Sequence, residues 1–262
     1  MWIFRRSYVD IMARYDFRSP RLFIAGPLRQ GATAALDRAQ THYLVHVLRL
    51  KDGDPVLIFN GIEGEWKAYL VATGRRQATL RIEALARPQT AAGNLHYLFS
   101  PLKHARFDYM VQKAVEMGAS RLAPVMMRHT VAGRVNAERM RANAIEAAEQ
   151  CGILTIPEIA APMDFAGAIA ALAPSRHLVF CDEEAPCADP VLALRSALGN
   201  ARADGGLAVV VGPEGGFADD ERAVLLSRPS TVRIALGPRI LRADTAAVAA
   251  LAVVQAVVGD WR

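Results

Sequence analysis

Two short segments in the last quarter of the chain carry residue types suited to holding a flat ligand. Gly212-Pro213-Glu214-Gly215-Gly216 ends the unbroken apolar run Leu207 to Val211, and Leu236-Gly237-Pro238-Arg239-Ile240-Leu241-Arg242 ends a second run, Val232 to Ala235. Each is followed by residues that read as a helix, one beginning near Asp219 and one from Asp244 to Val258. Glycine lets a backbone approach a ring closely, and proline removes an amide while stiffening the loop. Such a lining offers carbonyls and selected N–H groups to a heterocycle. If the two strands are neighbours in a parallel sheet, both loops open into the crevice beyond the strand C-termini, where open α/β sheets take their ligands. A pair of plain tight turns accounts for the same residues.

Other chemistries lack their residues. Gly212 to Gly216 does not read G-x-G-x-x-G, and Pro213 deletes an N–H that a pyrophosphate cradle needs. Neither a G-x-S-x-G elbow nor a G-x-x-x-x-G-K-[ST] loop is present, and His42 and His46 are separated from H-E-x-x-H by Tyr43, so they read as a packing or surface pair. Cys151, Cys181 and Cys187 are odd in number and lack C-x-x-C spacing, which implies a reducing cytoplasm and neither a disulfide framework nor a metal site. Ala246 to Val258 is interrupted by Gln255 and too short to span a bilayer, so no membrane association is expected.

The elements that must position these loops are legible in outline. From Leu95 onward strands and helices alternate, the mark of a parallel α/β sheet. Strands are expected at His96 to Ser100, Leu122 to Met127 and Leu178 to Cys181, with helices over 104–117, closed by Gly118 as a left-handed cap, and from an Asn136 cap to about Gln150. On that second helix Arg139, Asn143, Glu146 and Gln150 share one polar face. The final helix is apolar nearly all round, so it must be buried in the core or against another subunit. Before Leu85 the text is of short β-runs, Leu22 to Ile24, Val56 to Phe59, Trp66 to Val71 and Ala78 to Ile82, which reads as a small barrel with a short helix near Thr41 to Leu50. Lys51-Asp52-Gly53-Asp54 marks a turn, Asn60-Gly61 with Gly64 a hairpin loop, and Arg87 to Gly93 the linker. Three parts are thus expected: an extension over residues 1–20, in which Met12 offers a second start, a barrel over 21–90, and an α/β domain over 94–262.

Charge divides along the same boundary. Residues 1 to 93 carry fourteen Lys and Arg against eight Asp and Glu, whereas residues 94 to 262 carry seventeen against eighteen, so the net excess of five positive charges sits in the N-terminal third. A basic module joined to a near-neutral one suits a phosphate-rich partner, because each neutralised phosphate releases counterions; free use of Arg gives the same composition.

The two loops in their order and spacing, Val211 to Phe217 and Leu236 to Ala246, resemble the paired cofactor loops of the RsmE-type methyltransferases, which modify N3 of a uridine in 16S ribosomal RNA. Gln112 to Gly118, Glu146 to Gln150 and the opening Arg21 to Ile24 resemble that family as well, so the likeness spans residues 21 to 258. It implies an α/β SPOUT-type fold whose C-terminal segment is threaded into a trefoil knot. It also implies a PUA-like N-terminal β-barrel that grips RNA, a homodimer, and S-adenosyl-L-methionine as cofactor. The cofactor residues carried over are Gly212, Pro213, Gly215, Gly216, Leu236, Gly237, Ile240 and Leu241. Candidate RNA contacts are Arg21, Arg49, Lys51, Lys113 and Arg128, with 16S RNA of the small ribosomal subunit as partner. Two departures stand out: Asp244, where the family often has Glu, can still cap the last helix, and Ile153, where it often has Arg, removes a potential phosphate contact.

Methylation at N3 requires the imide proton to leave while negative charge grows on N3 and its flanking carbonyls. Arg242 is the candidate for stabilising that charge and Glu214 for receiving the proton or positioning the base. Arg242 can equally cap a helix or hold phosphate, and Glu214 can equally order its own loop. A related SPOUT enzyme acting on another RNA or atom, a non-catalytic RNA-binding assembly factor and a nucleotide-dependent oxidoreductase remain as competing functions.

Overall fold

The computed structural model describes residues 18–72, 77–199 and 205–261. The expected extension therefore lies outside the described residues as far as residue 17, Met12 included. The chain divides into two compact units, residues 1–90 and 91–262.

The N-terminal unit is a five-stranded sheet of β1 (Arg21–Phe23), β2 (Thr33–Ala35), β3 (Pro55–Phe59), β4 (Glu65–Ala72) and β5 (Ala78–Arg87), in the order β1-β3-β4-β5-β2. Among the described residues only the β1 to β3 pairing of this sheet is parallel. Alternate residues Val56 and Ile58, Ala68 and Leu70, and Leu80 and Ile82 face one core, as a period of two demands. The helix expected near Thr41 starts earlier, as α1 (Arg38–His42), because Asp37 and Gln40 form a reciprocal capping box. It widens into a π-helical turn over Tyr43–Val47 that drops Leu44 into the core. In the expected turn the Lys51 amide donates to Asp54 Oδ2 at 2.7 Å while Gly53 takes φ 83°. In the β3–β4 loop Asn60 Oδ1 accepts from the amides of Ile62 and Glu63.

Glu65 anchors this unit. Its side chain is 1% exposed and holds two guanidinium groups, Arg21 Nε at 2.6 Å and Arg87 Nε at 2.7 Å. Arg21 also lies over the Phe59 ring, 4.4 Å from its centre. Arg87 consequently belongs to β5, and the linker begins after it. Removing one partner of a buried pair strands the other charge, which costs about 3–5 kcal/mol. Glu65→Ala is therefore expected to lower the unfolding free energy by about that amount in urea titration; a loss under about 1 kcal/mol would show the pair to be dispensable.

The C-terminal unit is built on a parallel sheet ordered β12-β10-β11-β6-β7-β8, with β9 paired to β7. Its strands are β6 (Leu95–Phe99), β7 (Arg121–Met126), β8 (Glu158–Ile159), β9 (Met163–Asp164), β10 (His177–Cys181), β11 (Leu207–Val211) and β12 (Thr231–Ile234). The helices are α2 (His104–Glu116), α3 (Ala137–Gln150), α4 (Phe165–Ala170), α5 (Pro190–Leu198), α6 (Asp219–Ser227) and α7 (Ala243–Val257). Both faces are covered, which is why β11 reads as a continuous apolar run. Tyr97, Val179, Val209 and Val211 pack with α2, α3, α5 and α7, while Leu98, Phe180, Ala208 and Val210 pack with α4 and α6.

Gln255, the polar interruption in α7, is buried. Its amide donates to the Met117 carbonyl at 2.8 Å, and its oxygen accepts from the Asp260 amide at 3.1 Å. Gly118 closes α2 at φ 80°, and a Cβ there would collide with that amide. Asp244 sits inside the first turn of α7 and accepts from the Thr245 amide at 3.0 Å; the cap position falls to Arg242, whose side chain makes no capping bond. On β6, burial first, then the nearby Arg176 and Arg121 charges, pull the His96 imidazole from its ordinary 6.5 down to about 4. The unfolded chain takes up this proton near 6.5 and the folded chain only near 4, so stability is full above that window and falls as pH drops through it. His96→Gln is expected to flatten the stability profile between those limits; an unchanged slope would assign the acid sensitivity elsewhere.

Candidate active site

Four neighbouring strands end in one row. Phe99 pairs with Val211, Phe180 with Val210 and Cys181 with Ile234, so β6, β11, β10 and β12 all terminate at the same level. Their outgoing loops leave the same edge together. The two Gly-Pro loops do not follow adjacent strands, the condition under which the sequence placed them side by side: β10 lies between β11 and β12. A third loop, Asp182 to Glu184, therefore joins them. All three line one cavity of about 450 Å³.

Local residues shape each wall. Gly216 takes φ 72° and its amide donates to the Pro213 carbonyl at 2.9 Å, so this loop is a tight turn and a cavity wall at once. A Cβ on Gly212 would stand 2.7 Å from the Phe217 ring, which is itself held edge-on to Phe180 with centroids 5.0 Å apart. Gly237 takes φ 91°, and Ile240 beyond it is 97% exposed. The third loop is pinned from below by Asp182, whose carboxylate binds Arg222 at 3.0 Å and Arg233 at 2.7 Å. Arg222 also reaches Glu184 at 2.8 Å.

The loop after β7 braces the same edge. The Arg128 amide donates to Glu221 Oε1 at 2.8 Å, the Ala218 amide to Glu221 Oε2 at 3.0 Å, and His129 Nδ1 lies 3.1 Å from the Gly216 carbonyl. Since that carbonyl can only accept, Nδ1 is the donor in this contact. Gly215 packs against this histidine: a Cβ on it would lie 3.1 Å from His129 Cβ.

Of the residues singled out from sequence, Gly212, Pro213, Glu214, Gly215, Gly216, Leu236, Gly237, Ile240 and Leu241 all line the cavity. Glu214 is half exposed, 3.3 Å from Arg106. Arg242 is exposed, lies between the lining residues Leu241 and Ala243, and makes no ion pair among the described residues. The RNA candidates divide between the two units. Arg49 and Lys51 are exposed in the N-terminal unit, Arg21 is withdrawn from solvent by Glu65, Lys113 forms an i,i+3 pair with Glu116 at 2.7 Å, and Arg128 pairs with Asp220 at 2.5 Å. The polar face of α3 is partly occupied too: Arg139 and Asn143 bind Asp108 of α2, and Gln112 donates to Glu146. Asp182 and Glu221 were missed by sequence reasoning. Glu221 had a signal, standing three residues after the cap position Ala218, where a capping glutamate belongs; Asp182 had none. The His42 and His46 rings lie 5.3 Å apart at a tilt of 41°, and among the described residues no cluster of His, Cys, Asp or Glu could hold a metal ion.

Residues 89–255 match the RNA methyltransferase domain family, and residues 36–83 match the RNA methyltransferase PUA domain. The chain belongs to the RNA methyltransferase family. This RNA methyltransferase is 31% identical to ribosomal RNA small subunit methyltransferase E of Rickettsia conorii over 90% of its length and 94% of that protein's. The protein of the same name from Synechocystis is 30% identical over 90% of this chain and 77% of its own. Among solved structures, ribosomal RNA small subunit methyltransferase E from Neisseria gonorrhoeae, bound to S-adenosyl methionine, superposes with a TM-score of 0.81 at 25% identity, covering 94% of this chain and all of that one. In this RNA methyltransferase Gly212→Ala must push Phe217 off Phe180, an overpacking cost of about 1–3 kcal/mol. Denaturant unfolding is expected to show that loss, and a neutral result would mean the loop relaxes freely.

Proposed function

We propose that this enzyme transfers the methyl group of S-adenosyl-L-methionine to N3 of a uridine in 16S RNA of the small ribosomal subunit. The observation that carries the reading is the single cavity shared by both Gly-Pro loops and the Asp182 loop. Its lining suits the cofactor chemically. Five carboxylates, Asp182, Glu183, Glu184, Glu214 and Asp219, outnumber Arg222 and Arg239, and a cationic sulfonium is attracted to such a lining. Glycine-rich backbone and the apolar Leu236 and Leu241 fit an adenosyl ring. The named activity of the relatives from Rickettsia and Synechocystis, and the cofactor held by the Neisseria protein, support the same choice.

The bound sulfonium supplies an activated methyl group for in-line displacement. The chain's own residues must then align the base, exclude water and stabilise the charge left as the imide proton departs. Arg242, exposed and unpaired among the described residues, is assigned to the developing oxyanion. Glu214 is assigned to the proton or to the base, with Arg106 competing for its carboxylate at 3.3 Å. Since N3 lies on the Watson–Crick edge, the uridine must be unpaired or drawn from its stack.

The order β12-β10-β11 requires the last strand to return beside β10 on the side away from β11, which supports a trefoil threading of the C-terminal segment. Val248, Ala249 and Ala252 of α7 are apolar and only partly covered within one chain, which supports a homodimer seated on this helix. Among the described residues no helix is long and apolar enough to cross a membrane, and we place the enzyme in the cytoplasm with its ribosomal substrate. Arg49 and Lys51 are assigned to RNA contact by the PUA domain.

Arg242→Ala is expected to leave affinity for S-adenosyl-L-methionine within about twofold in calorimetry and to slow methylation of unmethylated small subunits by about 100-fold or more, the usual cost of losing an oxyanion donor. Nucleoside mass spectrometry of the product should report 3-methyluridine with the wild-type protein. A different methylated nucleoside would overturn the target atom, and a full rate in the variant would remove Arg242 from the chemistry.

A further inference from the structure

The C-terminal unit holds a second cavity, of about 370 Å³, beyond the ends of β6 and β7. One wall is the approach to α2 and its first turns, Leu102 to Asp108; the other is the segment Val131 to Asn136 that leads into α3, closed by Arg139. None of its lining residues lines the cofactor cavity.

The charges in it do not balance. Lys103, Arg134 and Arg139 line the space against one carboxylate, Asp108. That carboxylate is already engaged by Arg139, which it holds in place through two hydrogen bonds, and by the Asn143 amide at 2.6 Å. Lys103 and Arg134 are exposed and make no ion pair among the described residues. Two uncompensated cations thus face one pocket in a stretch of chain, residues 94 to 262, where acidic residues slightly outnumber basic ones. Buried Leu102 and Phe107 form an apolar floor beneath them. A concave site with a cationic rim and an apolar floor selects an anion attached to something flat or greasy rather than a free, fully hydrated one.

Its position says which anion. Two residues before the segment that forms one wall, His129 meets the Gly216 carbonyl of the cofactor loop at 3.1 Å. The helix that forms the other wall carries Arg106, which meets Glu214 of the same loop. The walls of the second cavity are thus tied to the loop that lines the cofactor cavity, so a strand that brings its base to that cavity can pass over the second one.

We propose that this cavity seats a phosphodiester of the RNA strand flanking the methylated nucleotide, held by Lys103 and Arg134, with Arg139 fixed by Asp108 as the third positive group. The inference rests on the RNA-methylation reading for its ligand. Its test is binding, which does not depend on catalysis.

The experiment is filter binding of 16S ribosomal RNA to the full-length protein without cofactor, across a salt series, for wild type and the Lys103→Gln/Arg134→Gln double variant. Both side chains are on the surface, so folding should survive; thermal unfolding and cofactor calorimetry on the variant check this. Loss of two phosphate contacts should weaken binding about tenfold and make the slope of log K against log salt shallower by about 1.4, at ~0.7 per contact on a single strand. Arg195→Gln, the same kind of charge loss on α5, should leave the slope unaltered. In methylation assays the double variant should raise KM for RNA and keep kcat within about twofold, since a contact made equally in ground and transition states changes KM alone. Wild-type affinity and slope in the double variant would overturn the proposal, as would an equal effect of Arg195→Gln, which would reduce it to net charge. Competition by inorganic phosphate as effective as competition by RNA would also overturn it, by showing a free-anion site. A wild-type protein that binds RNA with the expected dependence on Lys103 and Arg134 yet transfers no methyl group would instead sink the methylation reading and leave this site standing.

Discussion

Everything at the candidate site depends on β6, β11, β10 and β12 ending in the same hydrogen-bonded row. A parallel sheet fixes strands side by side through their ladders, so once Cys181 is opposite Ile234 and Phe180 opposite Val210, the loops that follow have nowhere to go except onto a shared edge. The apolar faces that hold this register are buried on both sides, and a slip of one residue would turn Val209 and Val211 towards the helices that pack Ala208 and Val210. The core thereby sets the shape of the cavity, although no core residue needs to touch a ligand.

Loops made of glycine and proline cannot hold a shape unaided, and here buried carboxylates hold it for them. Asp182, with two guanidinium partners, fastens the loop after β10 to α6 and β12. Glu221 gives its two oxygens to backbone amides from different loops, tying the end of β7 to the start of α6. In the N-terminal unit Glu65 plays the same part between β1 and β5. Each is almost fully buried, so leaving any of them without its partners would be costly. The exposed pairs, such as Arg128 with Asp220 and Arg106 with Glu214, contribute little to stability and leave their members free to rearrange when a substrate arrives.

What was legible in the sequence follows from range. The apolar run Leu207 to Val211, the Asn136 cap and the Gly118 terminus are decided by residues within a turn or two of each other, and they stand where the pattern put them. The two loops were legible as a pair because their glycines and prolines do a local job that few other residues can do. The insertion of β10 between β11 and β12 was not legible, since strand order is settled by tertiary packing and leaves no periodic trace. For the same reason Asp182 was silent, its partners lying 40 and 51 residues away. Arg21 misled in the opposite sense: a cation in a basic segment suggests RNA, but a buried glutamate 44 residues on claims it. Strands β2, β8 and β9 are too short to show any alternation, whereas β1, equally short, was marked by its apolar residues Leu22 and Phe23.

The most direct measurement is a crystal structure of the chain grown with S-adenosyl-L-homocysteine. The arrangement described requires adenine density between the Gly212 to Phe217 loop and the Leu236 to Leu241 loop, with the Asp182 to Glu184 loop as third wall. Clear ligand density at any other position, with that space filled only by solvent, would contradict it.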